Sequence, residues 1–269
     1  MFDAGQQTAQ RHGRVQHAMK LIGRVTTPLI DLVLPPVCAF CGEYHISADQ
    51  QQSNDHAVRL CDQCVGLFLK DDRDACVRCG QPVGPHSPDT TKGCVICRPK
   101  RQRYKEVIRL GTYDDELRNA VIRSKSRGTE ALAVSLAELL LREHSERLQS
   151  VNADLIVPVP QFWLHWFTRP HHSALTIAET LSRRLRVPLR DNLVRKIRRT
   201  PDQSSLPRSD RLKNLQRAFR VSSPRKAAGK RVLVVDDILT TGSTADEMAR
   251  ALRVAGAKYV AVSVVAVVR

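Results

Sequence analysis

Two carboxylates stand side by side at Asp236 and Asp237, directly after the apolar run Val232–Val235, and Thr240-Thr241-Gly242-Ser243-Thr244 follows shortly after them. Residues of these types in this order suit one kind of ligand. Successive backbone N–H groups at the start of a helix, with threonine and serine hydroxyls beside them, make a cradle for a phosphate. Gly242 permits the tight turn that such a cradle requires. Paired carboxylates repel a bare phosphate; their natural partners are sugar hydroxyls, or a hydrated Mg²⁺ beside a more distant pyrophosphate. Phosphate, diol and Mg²⁺ on one molecule describe a phosphorylated ribose with an activated anomeric carbon. The plainer alternative is two surface aspartates ahead of an ordinary helix cap. The loop lacks Gly-Lys-Ser/Thr and Gly-x-Gly-x-x-Gly, which argues against a P-loop ATPase and a Rossmann oxidoreductase.

The second chemical signal is the cysteines. All eight lie between Cys38 and Cys97, in four Cys-x-x-Cys pairs at 38/41, 61/64, 76/79 and 94/97. The segment repeats itself: CAFCG at 38–42 matches CVRCG at 76–80, and CDQC at 61–64 matches CVIC at 94–97. A glycine after the first pair of each copy fits a tight knuckle with positive φ. This spacing favours soft-metal ligation over disulfides. Sequential closure places Cys38, Cys41, Cys61 and Cys64 on one Zn²⁺, and Cys76, Cys79, Cys94 and Cys97 on a second; cross-bracing of the pairs is the alternative. Four thiolates leave no open position, so both zinc sites are structural. Iron–sulfur ligation and redox activity are the weaker competitors.

The elements that must position these groups follow from apolar periodicity. Strands are expected at 107–113, 153–160, 230–237 and 259–268, and helices at 114–125, from Thr129 as cap, 173–186 and 244–254. Continuous Val/Ile runs separated by helices imply strands covered on both faces, hence an open, mostly parallel α/β sheet. Three parts result: a leader and amphipathic segment over 1–35, a double zinc ribbon over 36–100, and the α/β domain over 101–269. The leader places Leu21, Val25, Leu29 and Leu32 on one face. Its polar start has no apolar core with a cleavage site, and no run of 18 apolar residues occurs, so neither export nor a membrane span is expected. A cytoplasmic location follows.

Lys and Arg total 43 against 27 Asp and Glu, a formal charge of +16. The stretch 181–220 alone has 13 basic and 3 acidic side chains. Such a field attracts polyanions, whether nucleic acid or a polyphosphorylated substrate, and otherwise serves as a solvated surface. KRQRYK at 100–105 adds a basic bridge between the zinc ribbon and the α/β domain. Trp163, His165, Trp166 and Phe167 could stack on a base or pack against a partner.

The stretch VLVVDDILTTGST (232–244) resembles the phosphoribosyl-pyrophosphate signature of type I phosphoribosyltransferases. The chain from Cys38 to Val268 resembles the ComF family, in which a double zinc ribbon precedes a phosphoribosyltransferase-like domain. The resemblance implies that Asp236 and Asp237 meet the ribose hydroxyls and that Thr240, Thr241, Gly242, Ser243 and Thr244 hold the 5′-phosphate. It puts Val159, Pro160 and Gln161 near the pyrophosphate, and Arg195, Lys196, Gln203 and Arg211 in or beside a mobile loop. Lys125, Arg169, Arg195, Lys196 and Arg211 are the basic candidates for catalysis, supported by Mg²⁺ bound with phosphoribosyl pyrophosphate. Where family members carry Arg-Gly-Phe-Asn-Gln, this chain has Arg169-Pro170-His171-His172-Ser173, and Pro170 removes an N–H donor.

The implied function is binding of phosphoribosyl pyrophosphate or a ribose 5-phosphate group, with transfer to a base nitrogen and a link to DNA uptake in competent bacteria. The rival readings are a non-catalytic protein that binds single-stranded DNA and a scaffold that docks onto a DNA-uptake helicase.

Overall fold

The computed structural model describes residues 37–43, 59–71, 73–84, 90–160, 172–198 and 217–269. In chain order the elements are α1 (Asp62–Phe68), β1 (Glu106–Thr112), α2 (Asp115–Arg123), α3 (Glu130–Ser150), β2 (Leu155–Pro158) and α4 (Ser173–Leu185). There follow β3 (Val194–Lys196), β4 (Phe219–Val221), α5 (Pro224–Ala227), β5 (Arg231–Leu239), α6 (Ser243–Val254) and β6 (Tyr259–Val267).

Four strands form a parallel sheet in the order β1-β6-β5-β2. The central pair, β5 and β6, are the Val-rich runs, and Val232 to Val235 and Val260 to Val262 are fully buried. Helices cover both faces, as an all-parallel sheet requires. One face packs Leu117 and Val121 of α2, Leu132, Leu136 and Leu140 of α3, and Ile177 and Leu181 of α4. The other packs Ala245, Met248 and Leu252 of α6, with Val194 of β3 and Phe219 and Val221 of β4.

The open parallel sheet is as expected, and three details differ. β5 runs on to Leu239, so the two aspartates lie inside the strand: Asp236, Ile238 and Leu239 stay in register with Val264, Ala266 and Val267 of β6. Pairing with a long neighbour, invisible in the local pattern, extends the strand past its apolar run. Thr129 precedes α3 without capping it. Its hydroxyl points back to the carbonyl oxygens of Arg123 and Ser126, 2.8 Å from each. The antiparallel pair β3–β4 was not expected, because three-residue strands show no periodicity. The amphipathic segment at 21–32 and the aromatic cluster at 163–167 lie outside the described residues.

The cysteine-bearing segments attach to this domain at separate places. Cys38, Cys61 and Cys64 join the apolar core with Phe40 and Phe68, whose rings meet edge-on at 5.0 Å. The Arg123 side chain donates to the Phe40 carbonyl and lies over its ring. The second copy meets the sheet differently: the Val107 N–H of β1 donates to the Val77 carbonyl at 2.8 Å, and Gln81 Nε2 reaches the Val268 carbonyl at 2.6 Å.

Candidate phosphoribosyl site

Parallel strands present their carboxyl ends on one side of the sheet, where open α/β domains hold their ligands. There β2 and β5 run in register, Pro158 beside Val235, and the Val159 N–H donates to the Val235 carbonyl at 2.8 Å. Asp236 and Asp237 follow within β5, both half-buried. Oδ2 of Asp237 accepts a 2.6 Å hydrogen bond from Ser173 Oγ and pairs with Lys125 Nζ at 3.2 Å. The Asp237 N–H donates to Asp236 Oδ1 at 2.9 Å. Burial pushes the Asp236 carboxyl up to about 8, and the Asp237 charge adds to the rise against the Asp237 N–H and Lys125. Asp237 is thus the anchored member of the pair, and Asp236 accepts a proton near neutrality.

The loop after β5 turns sharply at Gly242, whose φ is +80°, and α6 begins at Ser243. Thr241 Oγ1 lies 2.7 Å from Ser243 Oγ and accepts from the Ser243 N–H at 3.3 Å. Thr240 is exposed, Thr241, Gly242 and Thr244 are half-buried, and Ser243 is buried. This bent, partly open loop at a helix start has the form an anion cradle needs. A Cβ on Gly242 would meet the Tyr104 hydroxyl at 2.9 Å. Gly242→Ala therefore combines positive φ with a collision below the turn. A stability loss of about 1–3 kcal/mol is expected in chemical denaturation, together with loss of phosphate affinity.

The fold brings Lys125, Asp236, Asp237, Thr240, Thr241, Gly242, Ser243 and Thr244 to one region, with Val159 and Pro160 at the end of the adjoining strand. Arg195 and Lys196 belong to β3, Arg195 exposed and Lys196 half-buried, so they are strand residues beside whatever lies between β3 and β4. Gln161, Arg169, Gln203 and Arg211 lie outside the described residues. Four contributing residues were not given these contacts from the sequence. Ser173, buried at the first position of α4, holds Asp237. His172 donates from Nε2 to the Val159 carbonyl at 3.1 Å. Tyr104 and Arg103 of the basic bridge sit against the Gly242 turn and the start of α6: Tyr104 is 2% exposed, and Arg103 pairs with Asp246. Only the departure at 169–173 marked the Ser173 region in advance, and nothing local marked Tyr104.

Both cysteine groups close sequentially. Cys38, Cys41, Cys61 and Cys64 form one cluster and Cys76, Cys79, Cys94 and Cys97 the other, with ligand atoms within 4.8 Å of one another in each. Cross-bracing is thereby excluded. Zinc–sulfur bonds of about 2.3 Å in a tetrahedron set sulfurs about 3.8 Å apart. The sulfurs of 41/61, 76/97, 79/94 and 94/97 lie at 3.9, 3.8, 3.7 and 3.9 Å, with all eight cysteines unbridged. Gly42 and Gly80 adopt φ of +79° and +71° at the knuckles. Burial raises the Cys38 thiol, but the N–H groups of Cys61, Cys41 and Phe40 outweigh it and hold it at about 7. Burial and the neighbouring thiols drive Cys64 far upward. Both groups could hold structural zinc.

A parallel sheet with paired aspartates on a central strand and a glycine-turned loop at a helix start fits a phosphoribosyltransferase-like domain. In agreement, residues 170–269 match the phosphoribosyl transferase domain. The chain is 30% identical over 207 residues to DNA utilization protein YhgH of Escherichia coli K12, covering 76% of this chain and 88% of that one. It is 28% identical over 191 residues to competence protein F of Haemophilus influenzae, covering 70% and 82%. To YhgH of Salmonella typhi it is 30% identical over 191 residues, covering 70% and 81%. The chain belongs to the ComF family. Among the described residues no helix is long and apolar enough to cross a membrane.

Proposed function

We propose that the chain binds phosphoribosyl pyrophosphate, or another molecule carrying a ribose 5-phosphate group, at the carboxyl ends of β2 and β5, and that it serves DNA uptake. The observation that carries the binding reading is the Asp236–Asp237 pair, anchored by Ser173 and Lys125, immediately before the Gly242 turn. Amides at 240–244 take the 5′-phosphate. The carboxylates take the ribose hydroxyls, displacing Lys125 from Asp237 and freeing its ammonium for the pyrophosphate. Adjacent carboxylates also suit the water shell of Mg²⁺, which supplies charge neutralisation of the pyrophosphate when bound.

The reaction such a pocket supports is displacement of pyrophosphate from C1 of the ribose by a base nitrogen. The chain contributes proximity of the two reactants and positive charge for the leaving group, from Lys125 and the basic candidates Arg169, Arg195, Lys196 and Arg211. No side chain needs to form a covalent intermediate. The relatives named for competence and DNA utilization support the biological role. In that role the basic stretch 181–220 meets single-stranded DNA, and the zinc ribbon faces a helicase of the uptake machinery. The cytoplasm, whose redox poise keeps thiol ligands reduced, is the fitting compartment.

The pocket must also titrate. The folded Asp236 carboxyl ionises near 8 against an ordinary 3.8. Its contribution to stability is complete below about pH 4 and is lost as pH rises toward 8, because the folded protein holds the extra proton. A ribose diol needs the ionised form as acceptor. Affinity for phosphoribosyl pyrophosphate with Mg²⁺ is therefore expected to rise from pH 6 to 8 with proton release on binding, and Asp236→Asn should reduce this slope to the part due to the ligand's own phosphates. The transferase reading is tested by a pyrophosphate-release screen over purine and pyrimidine bases with the zinc-loaded protein. Release with one base class supports it; binding without release from any base leaves a sensor in place of an enzyme.

A further inference from the structure

The short segment between the second cysteine group and β1 is tied at both ends. At its start, the Lys100 N–H donates to the Cys97 carbonyl at 3.0 Å, and Arg78, between Cys76 and Cys79, donates from Nη2 to the Lys100 carbonyl at 2.7 Å. At its end, the Lys105 N–H donates to the Val260 carbonyl of β6 at 2.8 Å. Between these anchors the chain lies against the phosphate loop. The Arg103 N–H donates to Asp246 Oδ1 at 2.6 Å, and its guanidinium pairs with the other oxygen of the same carboxylate. Tyr104 is buried beneath Gly242, and its hydroxyl accepts from Gln102 Nε2 at 2.7 Å.

Asp246 lies in the first turn of α6. A carboxylate there favours the helix but opposes an anion at the same helix start. Arg103 neutralises that charge while its backbone fixes the turn, and Tyr104 supports Gly242 from below. We propose that Gln102–Tyr104 is a positioning strap through which the second cysteine group, Cys76, Cys79, Cys94 and Cys97, sets the order and the anion affinity of the 240–244 loop. Metal at that group holds Arg78 and Lys100 in place, and the strap carries this constraint to the loop. Loss of the metal frees the start of the strap, loosens Arg103 from Asp246, and leaves an uncompensated carboxylate in the first turn of the helix that follows the loop. The inference rests on the phosphoribosyl reading for its ligand, but the ordering of the loop does not.

Two readouts on the full zinc-loaded chain separate these claims: amide hydrogen exchange at Thr241–Ala245, and calorimetric titration with ribose 5-phosphate. Arg103→Ala, with both metals retained by elemental analysis, is expected to bind about tenfold more weakly, the scale of one lost charge-assisted contact. Its Thr241–Ala245 amides should exchange faster, and Arg103→Lys should recover most of both effects. Cys94→Ser, which removes one metal, should match or exceed Arg103→Ala; if it fails to fold, Arg103→Ala carries the test alone. Unchanged exchange at Thr241–Ala245 in Arg103→Ala, or binding within twofold of the parent chain, overturns the strap. If the parent chain itself binds no ribose 5-phosphate, the phosphoribosyl reading falls, and exchange alone decides the strap.

Discussion

Asp236→Asn with Asp237→Asn is expected to weaken binding of phosphoribosyl pyrophosphate with Mg²⁺ by at least ~100-fold, while the ligand-free protein becomes no less stable at pH 8. The two effects differ in sign for one reason. Hydrogen bonds from hydroxyls to a carboxylate contribute about 1.5–3 kcal/mol each, and the variant loses the charged acceptors for the diol. In the ligand-free state the same carboxylates are a burden. Asp236 resists ionisation to about 8 through its burial and the charge beside it, so a neutral amide removes a cost that grows with pH. Asp237 offsets part of this gain, since its replacement leaves Lys125 without its carboxylate partner. Titration calorimetry and thermal denaturation on the same samples measure both. Binding within threefold of the parent chain would show that these carboxylates do not meet the ligand.

The second large effect concerns the first cysteine group. Cys61→Ser should lower the zinc content from two per chain to one and destabilise the whole domain, because Cys38, Cys61 and Cys64 share a core with Phe40, Phe68, Leu117 and Val121. Structural zinc in small Cys/His sites contributes roughly 10–16 kcal/mol of apparent binding energy. Loss of one ligand should therefore cost several kcal/mol and appear as a lower denaturation midpoint, even though no phosphoribosyl-site residue is touched. The second group has a separate cluster of its own, packed with Val83. Its loss should cost less in global stability. Equal effects on stability from Cys61→Ser and Cys94→Ser would contradict this division.

The parts of the fold that repeat, alternate or match a spacing were legible in the sequence. The Val-rich runs led to β5 and β6, and the cysteine pairs led to two sequential four-sulfur groups. The Asp236–Thr244 segment announced adjacent carboxylates and a glycine turn ahead of a helix because its own backbone builds them. What was not legible depends on contacts between distant segments. Ser173 reaches Asp237 across 64 positions, and Arg103 reaches Asp246 across 143. The KRQRYK stretch looked like a basic surface, yet Tyr104 is buried and Arg103 is committed to an ion pair. Charge counted along a chain does not reveal which cations the fold neutralises. The end of β5 was misplaced for the same reason, since β6 fixes it through pairing.

Whether one bent loop and two neighbouring aspartates together hold a phosphoribosyl group is decided by calorimetric titration of phosphoribosyl pyrophosphate into protein carrying two zinc ions per chain. One ligand should bind per chain, with affinity that depends on Mg²⁺ and is competed by ribose 5-phosphate. Absence of binding at millimolar ligand, with and without Mg²⁺, would contradict that arrangement.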